Sequence, residues 1–460
     1  MRMASTGPHS QAKPLGWLSP TLGTARTLTI ATCLPQLDLT AVALILPAIA
    51  AAFDLDVAAA AWVAETYSVA FMSTLLIAGA LADRYGRRRV LLAGNMAFAV
   101  TSLGCAFAGG SATLCAARAL QGASAAFVIT GALASLSLAY PRPTERARAF
   151  GLLGMTTGAA MVLGPSFGGF LAAAFGWRAV FLVNLPICLA VARTVPLRVS
   201  ETFDPEGRPL DIPGVALLSG SLLACVLALL DGSASVLTRA MLLSGALGLG
   251  FLFVRRQFRQ TRPMLDPALV TRREPLGIAC VLVALSIGYW SVLVYLPLAL
   301  KAVYAISTEA IGLAMLALTM PMLGLPPLGA RLAVLWGWPR LFAFGLLVLA
   351  AGTTALALML HWHRPLAETL TAMLVAASGA GLINAQVSSA LIASGPAAQA
   401  GMTSSFSSTL RQIGFALGIA LLGAVESTGT EGGSFALAFA VAASAAVLGA
   451  FAIMAARQAG

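Results

Sequence analysis

The stretch Gly79-Ala-Leu-Ala-Asp83-Arg84-Tyr-Gly86-Arg87-Arg88-Arg89 sets a charged, glycine-punctuated turn between two apolar runs, residues 57–81 and 90–109. Each run is long enough to cross the ~30 Å hydrocarbon core of a bilayer as a helix. Gly86 permits a tight reversal, Asp83 can cap the next helix or pair with an arginine, and the arginines hold the turn at a membrane surface. The rest of the chain repeats the pattern. Of its 460 residues 59% are hydrophobic and 10% charged, with mean hydropathy +0.90. Soluble domains run at about 45–50% apolar and about 25% charged, so this is a polytopic membrane protein.

Fourteen spans are predicted, roughly 26–51, 57–81, 90–109, 112–139, 147–173, 179–195, 210–230, 236–254, 275–300, 309–329, 340–360, 366–392, 402–424 and 434–456. A net charge of +11 would suggest nucleic acid in a soluble chain, but here the placement of the charges argues otherwise. On this topology 22 of the 28 Lys and Arg lie on one side, four on the other and two within spans. That asymmetry follows the positive-inside rule, putting both termini in the cytoplasm and setting nucleic acid aside as a partner. No segment is long enough to be a folded soluble domain. Residues 1–25 read as a cytoplasmic tail without a removable signal. Residues 26–195 form a six-helix bundle, 196–274 a linker with two extra spans, 275–456 a second six-helix bundle, and 457–460 a short tail. A pair of spans returns the chain to the side it left, so the halves are parallel, as in large secondary transporters with substrate at the midplane. The six cysteines are scattered singly in apolar segments and read as packing residues.

One acid lies deep in the first span. In Arg26–Ala50 (RTLTIATCLPQLDLTAVALILPAIA), Asp38 is the sole charge beyond Arg26, roughly 18 Å from each end at ~1.5 Å per residue. An intramembrane carboxyl is costly and is a functional-site hypothesis by default.

The spacing of Gly79, Asp83, Arg84, Gly86, Arg87 and Arg88 resembles the GxxxDRxGRR signature of the major facilitator superfamily. Further matches follow in family order. Leu114-Cys-Ala-Ala-Arg118-Ala-Leu-Gln121-Gly122 resembles the fourth-helix motif, and Gly164-Pro165-Ser-Phe-Gly168-Gly169 the fifth-helix antiporter motif, with Ala160 where that motif usually begins with glycine. Leu37-Asp38-Leu-Thr40 with Leu46-Pro47, then Trp177-Arg178 with Asn184 and Pro186, and Arg411-Gln412-Ile-Gly414 with Gly418, resemble the fourteen-span drug:proton antiporter (DHA2-type) branch. The second-half copy of the loop motif, Ala330-Arg331-Leu-Ala-Val334-Leu335-Trp-Gly337, lacks the aspartate.

The resemblance implies an all-α major facilitator fold of 6+2+6 spans, with the first and fourth helices lining a central cavity, where Asp38 and Arg118 either meet or communicate through water. Burial favours a neutral carboxyl and a nearby cation favours a charged one, so moving Arg118 or wetting the site would switch Asp38 as proton coupling requires. The alternative is a static ion pair that fixes helix packing. Glu65, between Trp62 and Tyr67, is either a second protonatable or cation-binding group flanked by aromatic faces or an acid reaching outward to the interface. Arg411 is either an interhelical anchor or a substrate contact. Tyr289, Trp290 and Tyr295, with Asn384 and Gln386, are candidate cavity groups or packing residues. In the fifth span the pairs Gly154/Gly158 and Gly164/Gly168 admit a close neighbour, and Pro165 frees a carbonyl, so the helix either seals and bends or simply packs tightly. His361 and His363 have no further ligands and suggest no metal.

The only lysines, Lys13 and Lys301, are followed by Pro14 and Ala302, which excludes a Walker A motif. A catalytic cluster such as paired aspartates or HExxH is missing too, which argues against a membrane-embedded enzyme or sensor. The expectation is a monomeric, multi-pass protein of the cell (inner) membrane, a proton-coupled antiporter exporting hydrophobic or cationic drugs or biocides. It needs no cofactor beyond the proton gradient. Its partners are a small-molecule substrate, protons and the lipid bilayer. An exporter of an endogenous metabolite or antibiotic, or a nutrient importer, is the alternative on the same fold.

Overall fold

The computed structural model describes residues 22–55, 57–204, 211–230, 235–260, 263, 268–306, 308–426 and 433–458. The predicted tail up to residue 21, residues 231–234 of a connection, parts of the linker (205–210, 261–262 and 264–267), residues 459–460 and the Pro165 side chain lie outside the described residues. Among the described residues every regular element is helical. The first group is α1 (Gly23–Phe53), α2 (Val57–Tyr85), α3 (Arg87–Ala106), α4 (Ser111–Ala139), α5 (Pro143–Phe175), α6 (Arg178–Leu182) and α7 (Asn184–Arg198). Two helices follow, α8 (Ile212–Leu230) and α9 (Val236–Arg259), and then the short α10 (Ala268–Thr271). The last group is α11 (Arg273–Leu285), α12 (Val292–Tyr304), α13 (Thr308–Gly324), α14 (Pro326–Trp336), α15 (Trp338–His361), α16 (Leu366–Ser394), α17 (Ala400–Glu426) and α18 (Gly433–Gln458). A π-helical turn, Ser286–Ser291, joins α11 to α12 in one rod.

Among the described residues, eleven helices are long and apolar enough to cross a membrane, or up to thirteen when each of two bent pairs counts as one span. The predicted fourteen would need α8 as well, and its apolar part, Ile212–Cys225, is short. Proline accounts for both bends. α1 turns by 59° between Gly23–Val42 and Ile45–Phe53, where Pro47 has no N–H to offer the carbonyl of residue 43. The 47° bend between Ala310–Gly324 and Pro326–Trp336 falls at Pro326, which likewise leaves the Met322 carbonyl without its helical donor.

Helices α1–α7 pack largely on one another, as do α11–α18, and two seams join the groups: α2 along α17, and α5 along α13, α14 and α16. Small residues make both seams close. A Cβ on Gly79 would lie 2.9 Å from the Gly401 carbonyl oxygen, and one on Gly158 2.4 Å from the freed Met322 carbonyl. The glycine-rich face of α5 is split between two neighbours. Gly154 and Gly158 meet Pro326 and Met322 across the seam, whereas Gly164 and Gly168 meet Thr40 and Ala41 of α1 within the first group. Thr40 reaches back to α5, donating to the Ala160 carbonyl at 3.3 Å. Helix α8 lies against α2 and α17, with Ser219 donating to the Ser73 carbonyl at 2.6 Å.

Candidate coupling site and central cavity

Asp38 sits in a polar cluster assembled from four helices. Arg118 Nη1 donates to Asp38 Oδ2 at 2.6 Å, both side chains being fully enclosed. Asp38 Oδ1 accepts from Asn184 Nδ2 at 2.7 Å and from Gln121 Nε2 at 3.1 Å. Arg118 Nη1 also donates to Gln121 Oε1 at 2.6 Å, and Ser102 Oγ accepts from Gln121 at 2.8 Å and from Asn184 at 3.3 Å. Arg118 and Gln121 are three residues apart on α4, hence on one face of the helix. Taking two charges out of water costs several kcal/mol per ion, and only close pairing with satisfied lone pairs offsets it. The guanidinium carbon also lies 4.3 Å from the centre of the Tyr67 ring and 5.8 Å from that of Phe181, so π faces cover it where Nη2 finds no acceptor among the described residues.

The central cavity, of about 240 Å³, lies between the two groups of helices. Helix geometry decides what α1 shows it. Thr32, Gln36 and Leu39 recur at i, i+4 and i+7 and line the cavity. Contrary to the expectation from the sequence, Asp38 and Arg118 meet outside the cavity: Asp38 lies on the opposite face of α1 and is 1% exposed, and neither residue lines the cavity. One aromatic layer separates the two regions. Phe71 lines the cavity and stacks on Tyr67 with centroids 6.4 Å apart and planes 9° apart. Tyr67 covers the Arg118 guanidinium and donates its hydroxyl to the Pro35 carbonyl at 3.3 Å.

The opposite wall comes from the second group. The π turn carries Trp290 to the cavity. It can do so because α17 is bare where the turn passes: Cβ atoms on Gly414 and Gly418 would lie 2.8 Å from the Cβ atoms of Ser286 and Ser291. One turn before Gly414, Arg411 and Gln412 of the same motif line the cavity, with Asn384 and Ser388 of α16. Arg411 donates to Asn384 Oδ1 and, at 2.7 Å, to Ser388 Oγ.

At the Arg-rich side the two groups are latched. Asp83 pairs with Arg87 at 2.6 Å, as one sequence alternative has it. It does not cap α3. Its carboxylate instead accepts the backbone N–H groups of Gly401 and Met402, each at 2.7 Å, at the start of α17 in the other group. A carboxylate is favoured at a helix N-terminus, where N–H groups are unpaired and the dipole is positive. Arg87 completes the latch by donating to the Ala397 and Ala398 carbonyls at 3.2 and 2.7 Å. The start of α3 is capped from the linker, where Glu201 accepts from the Arg88 and Arg89 backbone N–H groups at 3.1 and 3.2 Å. Gly86, at φ +110°, is needed there, since a Cβ would lie 2.6 Å from Glu201 Oε1.

The other predicted residues divide clearly. Tyr67 is buried against Arg118. Trp62 is exposed and Glu65 half-buried, and neither lines the cavity. Tyr289 is buried, donating to the Leu318 carbonyl at 2.9 Å, and Tyr295 donates to the Ile419 carbonyl at 3.0 Å. Gln386 is turned to the Ala147 carbonyl. Arg84 is exposed over the Tyr85 ring, and Gly169 is half-buried. Gln121 and Asn184 belong to family motifs, but the motifs alone do not give their bonds to Asp38. Uncharged amides inside apolar spans, which must find partners, were the available signal. Ser102 offered none.

Two helical groups around a central cavity, with a buried acid beside it and a latch across one end, define a secondary transporter of small molecules. The sequence profile of the Major Facilitator Superfamily matches residues 28–419, and the chain belongs to that superfamily, whose members are transporters and not enzymes. It is 31% identical over 401 residues to the multidrug resistance protein Stp of Mycobacterium tuberculosis (strain CDC 1551 / Oshkosh), covering 85% of this chain and 73% of that protein. It is 32% identical over 403 residues to the multidrug efflux pump LfrA of Mycolicibacterium smegmatis, covering 86% and 79%. Among solved structures, human MFSD10 (TETRAN) superposes with TM-score 0.71 at 18% identity, covering 94% of this chain and 99% of that one. The proton:xylose symporter XylE superposes with TM-score 0.68 at 15% identity, covering 94% of each chain.

Proposed function

We propose that this protein is a proton-coupled drug exporter of the fourteen-span branch, with α8 and α9 as two extra spans between six-helix halves. The Arg-rich side and both termini face the cytoplasm of a cell membrane. The named activities of the relatives, multidrug resistance and efflux, support the export of drug-like molecules. The observation that carries the proton coupling is the Asp38–Arg118 pair, enclosed one aromatic layer from the cavity. In this conformation the pair is enclosed, so proton exchange requires the packing around it to open. A proton gained by Asp38 then removes the charge that holds Arg118 and loosens the contact between α1 and α4. Cargo seated on Phe71 presses through Tyr67 on the same guanidinium. Proton and cargo thus bias one element from two sides, which is the differential interaction that exchange requires. The Asp83 latch closes the cytoplasmic end and must release for cargo to enter from that side.

Asp38→Asn in proteoliposomes is expected to abolish efflux driven by a pH gradient, while a thermal melt shows the protein still folded. Full retained activity would remove the coupling claim. Inverted vesicles separate export from import, since an exporter accumulates a fluorescent cargo inside them when energised.

A further inference from the structure

We infer that Arg411 is a receptor for an anionic group, so that the preferred cargo is an apolar or aromatic body bearing a carboxylate or similar anion rather than a cation. The inference rests on the exporter reading and names its cargo class. Among the described residues, Arg411 is the one formally charged side chain lining the cavity. Its recorded partners, Asn384 Oδ1 and Ser388 Oγ, are neutral. The two fully buried guanidiniums among the described residues, Arg118 and Arg87, are each closed by an aspartate at 2.6 Å, whereas Arg411 is half-buried at the cavity wall. A guanidinium has five N–H donors, and a half-buried cation at a cavity wall whose partners are only neutral acceptors keeps donors and charge to offer. An entering anion supplies the missing counter-charge through the strong, directional bonds that arginine makes to carboxylates. Phe71, Trp290 and Phe415 offer ring surface for the apolar body, and Trp290 Nε1 is a buried donor without a partner among the described residues. Aromatic walls also attract organic cations. At this site, however, a cation would have to enter beside Arg411, and no carboxylate lines the cavity among the described residues to offset the repulsion. Asp38 cannot serve, being held by Arg118 beyond the Phe71–Tyr67 layer.

The charge of the cargo also changes what drives its export. For any number of protons exchanged, replacing a monocation by a monoanion adds two inward positive charges to each cycle. Each charge changes the attainable gradient about 50-fold per 100 mV, so anion export should respond more steeply to an interior-negative potential.

The test uses anthracene-9-carboxylate and (9-anthracenylmethyl)trimethylammonium, which share a ring system and differ in charge, with Nile red as a neutral comparison. Fluorescence titration of the full-length protein in nanodiscs should give the carboxylate at least a tenfold tighter affinity than the ammonium. Arg411→Gln should erase that preference and Arg411→Lys retain most of it, with melting curves confirming that both variants fold. In proteoliposomes, carboxylate efflux should rise more steeply with imposed potential than ammonium efflux. Equal or tighter binding of the ammonium by the native protein overturns the inference and leaves the exporter reading intact. So does efflux of Nile red with neither charged dye bound, or an unchanged preference in Arg411→Gln. If the carboxylate binds as expected but nothing is pumped, the exporter reading fails and the anion site stands.

Discussion

The two intramembrane arginines, one in each half, are held in opposite ways. Arg118 is fully enclosed, and it is paired with Asp38, with Gln121 completing the network. Arg411 lines the cavity and rests on an amide and a hydroxyl. The contrast teaches that two halves of one fold need not hold a buried or cavity-lining charge in the same way. On the proposed reading, the guanidinium closed by its own aspartate responds to a proton and the one left without a counter-charge responds to cargo. Arg87 is intermediate. It is paired with Asp83 but also bonded across the seam, so its contacts break when the halves part.

The largest expected difference lies in stability. Arg118→Leu strands the Asp38 carboxylate in an enclosed site and should cost about 3–5 kcal/mol, as breaking a buried ion pair does. Adding Asp38→Asn should recover much of that loss while transport stays absent, because the two sites are coupled. Arg411→Leu removes hydrogen bonds to neutral groups and strands no charge, so about 1–2 kcal/mol is expected. Thermal melts of all four proteins in one detergent would decide it. Equal losses for Arg118→Leu and Arg411→Leu would break the comparison.

A smaller effect is expected at the latch. Asp83→Asn removes a charged acceptor shared by Gly401 N–H, Met402 N–H and Arg87. Loss of such a cap weakens the latched state by about 1–2 kcal/mol, or roughly tenfold in its population. A cysteine at Ser408, on the cavity wall, should then react about tenfold faster with a membrane-impermeant maleimide added from the Arg-rich side. An unchanged rate would mean that the seam is held by its close glycine contacts and not by the ion cluster.

Much of this arrangement is legible along the chain, for reasons that also mark where legibility stops. Asp38 and Arg118 stand out because a charge in an apolar run has to be compensated, and the loop motif stands out because Gly86 and Asp83 occupy positions that other residues cannot fill. Depth in a span is readable from residue number, but the face a residue presents is not. Glu65 and Arg411 lie at similar depths, and only Arg411 reaches the cavity. Asp83 capping α17 instead of α3 depends on which helices meet at the seam, and sequence order does not encode that apposition. Gln121, Asn184 and Ser102 come together for the same reason, from helices distant in the chain. Hydropathy counts spans by length and composition, so it does not register the bends in α1 and the α13–α14 pair or the short apolar part of α8, which is where the predicted fourteen and the observed eleven to thirteen differ among the described residues.

The finest test concerns the layer between the two regions. Tyr67 has two separable contacts, a hydroxyl bond to the Pro35 carbonyl and a ring face toward Arg118. Tyr67→Phe keeps the ring and removes the bond, which should cost about 0.5–1.5 kcal/mol and leave pH-driven efflux largely intact. Tyr67→Leu removes the π face as well, worth up to about 2 kcal/mol where the cation is desolvated. If this ring carries the effect of cargo to the Asp38–Arg118 pair, Leu should uncouple the two, with dye still bound in the cavity but dye-induced proton release lost. Proton release measured with a pH indicator in weakly buffered detergent solution, at saturating dye, reads that step directly. Equal release from the Phe and Leu variants would assign the layer to packing alone and leave the two arginines without a physical link.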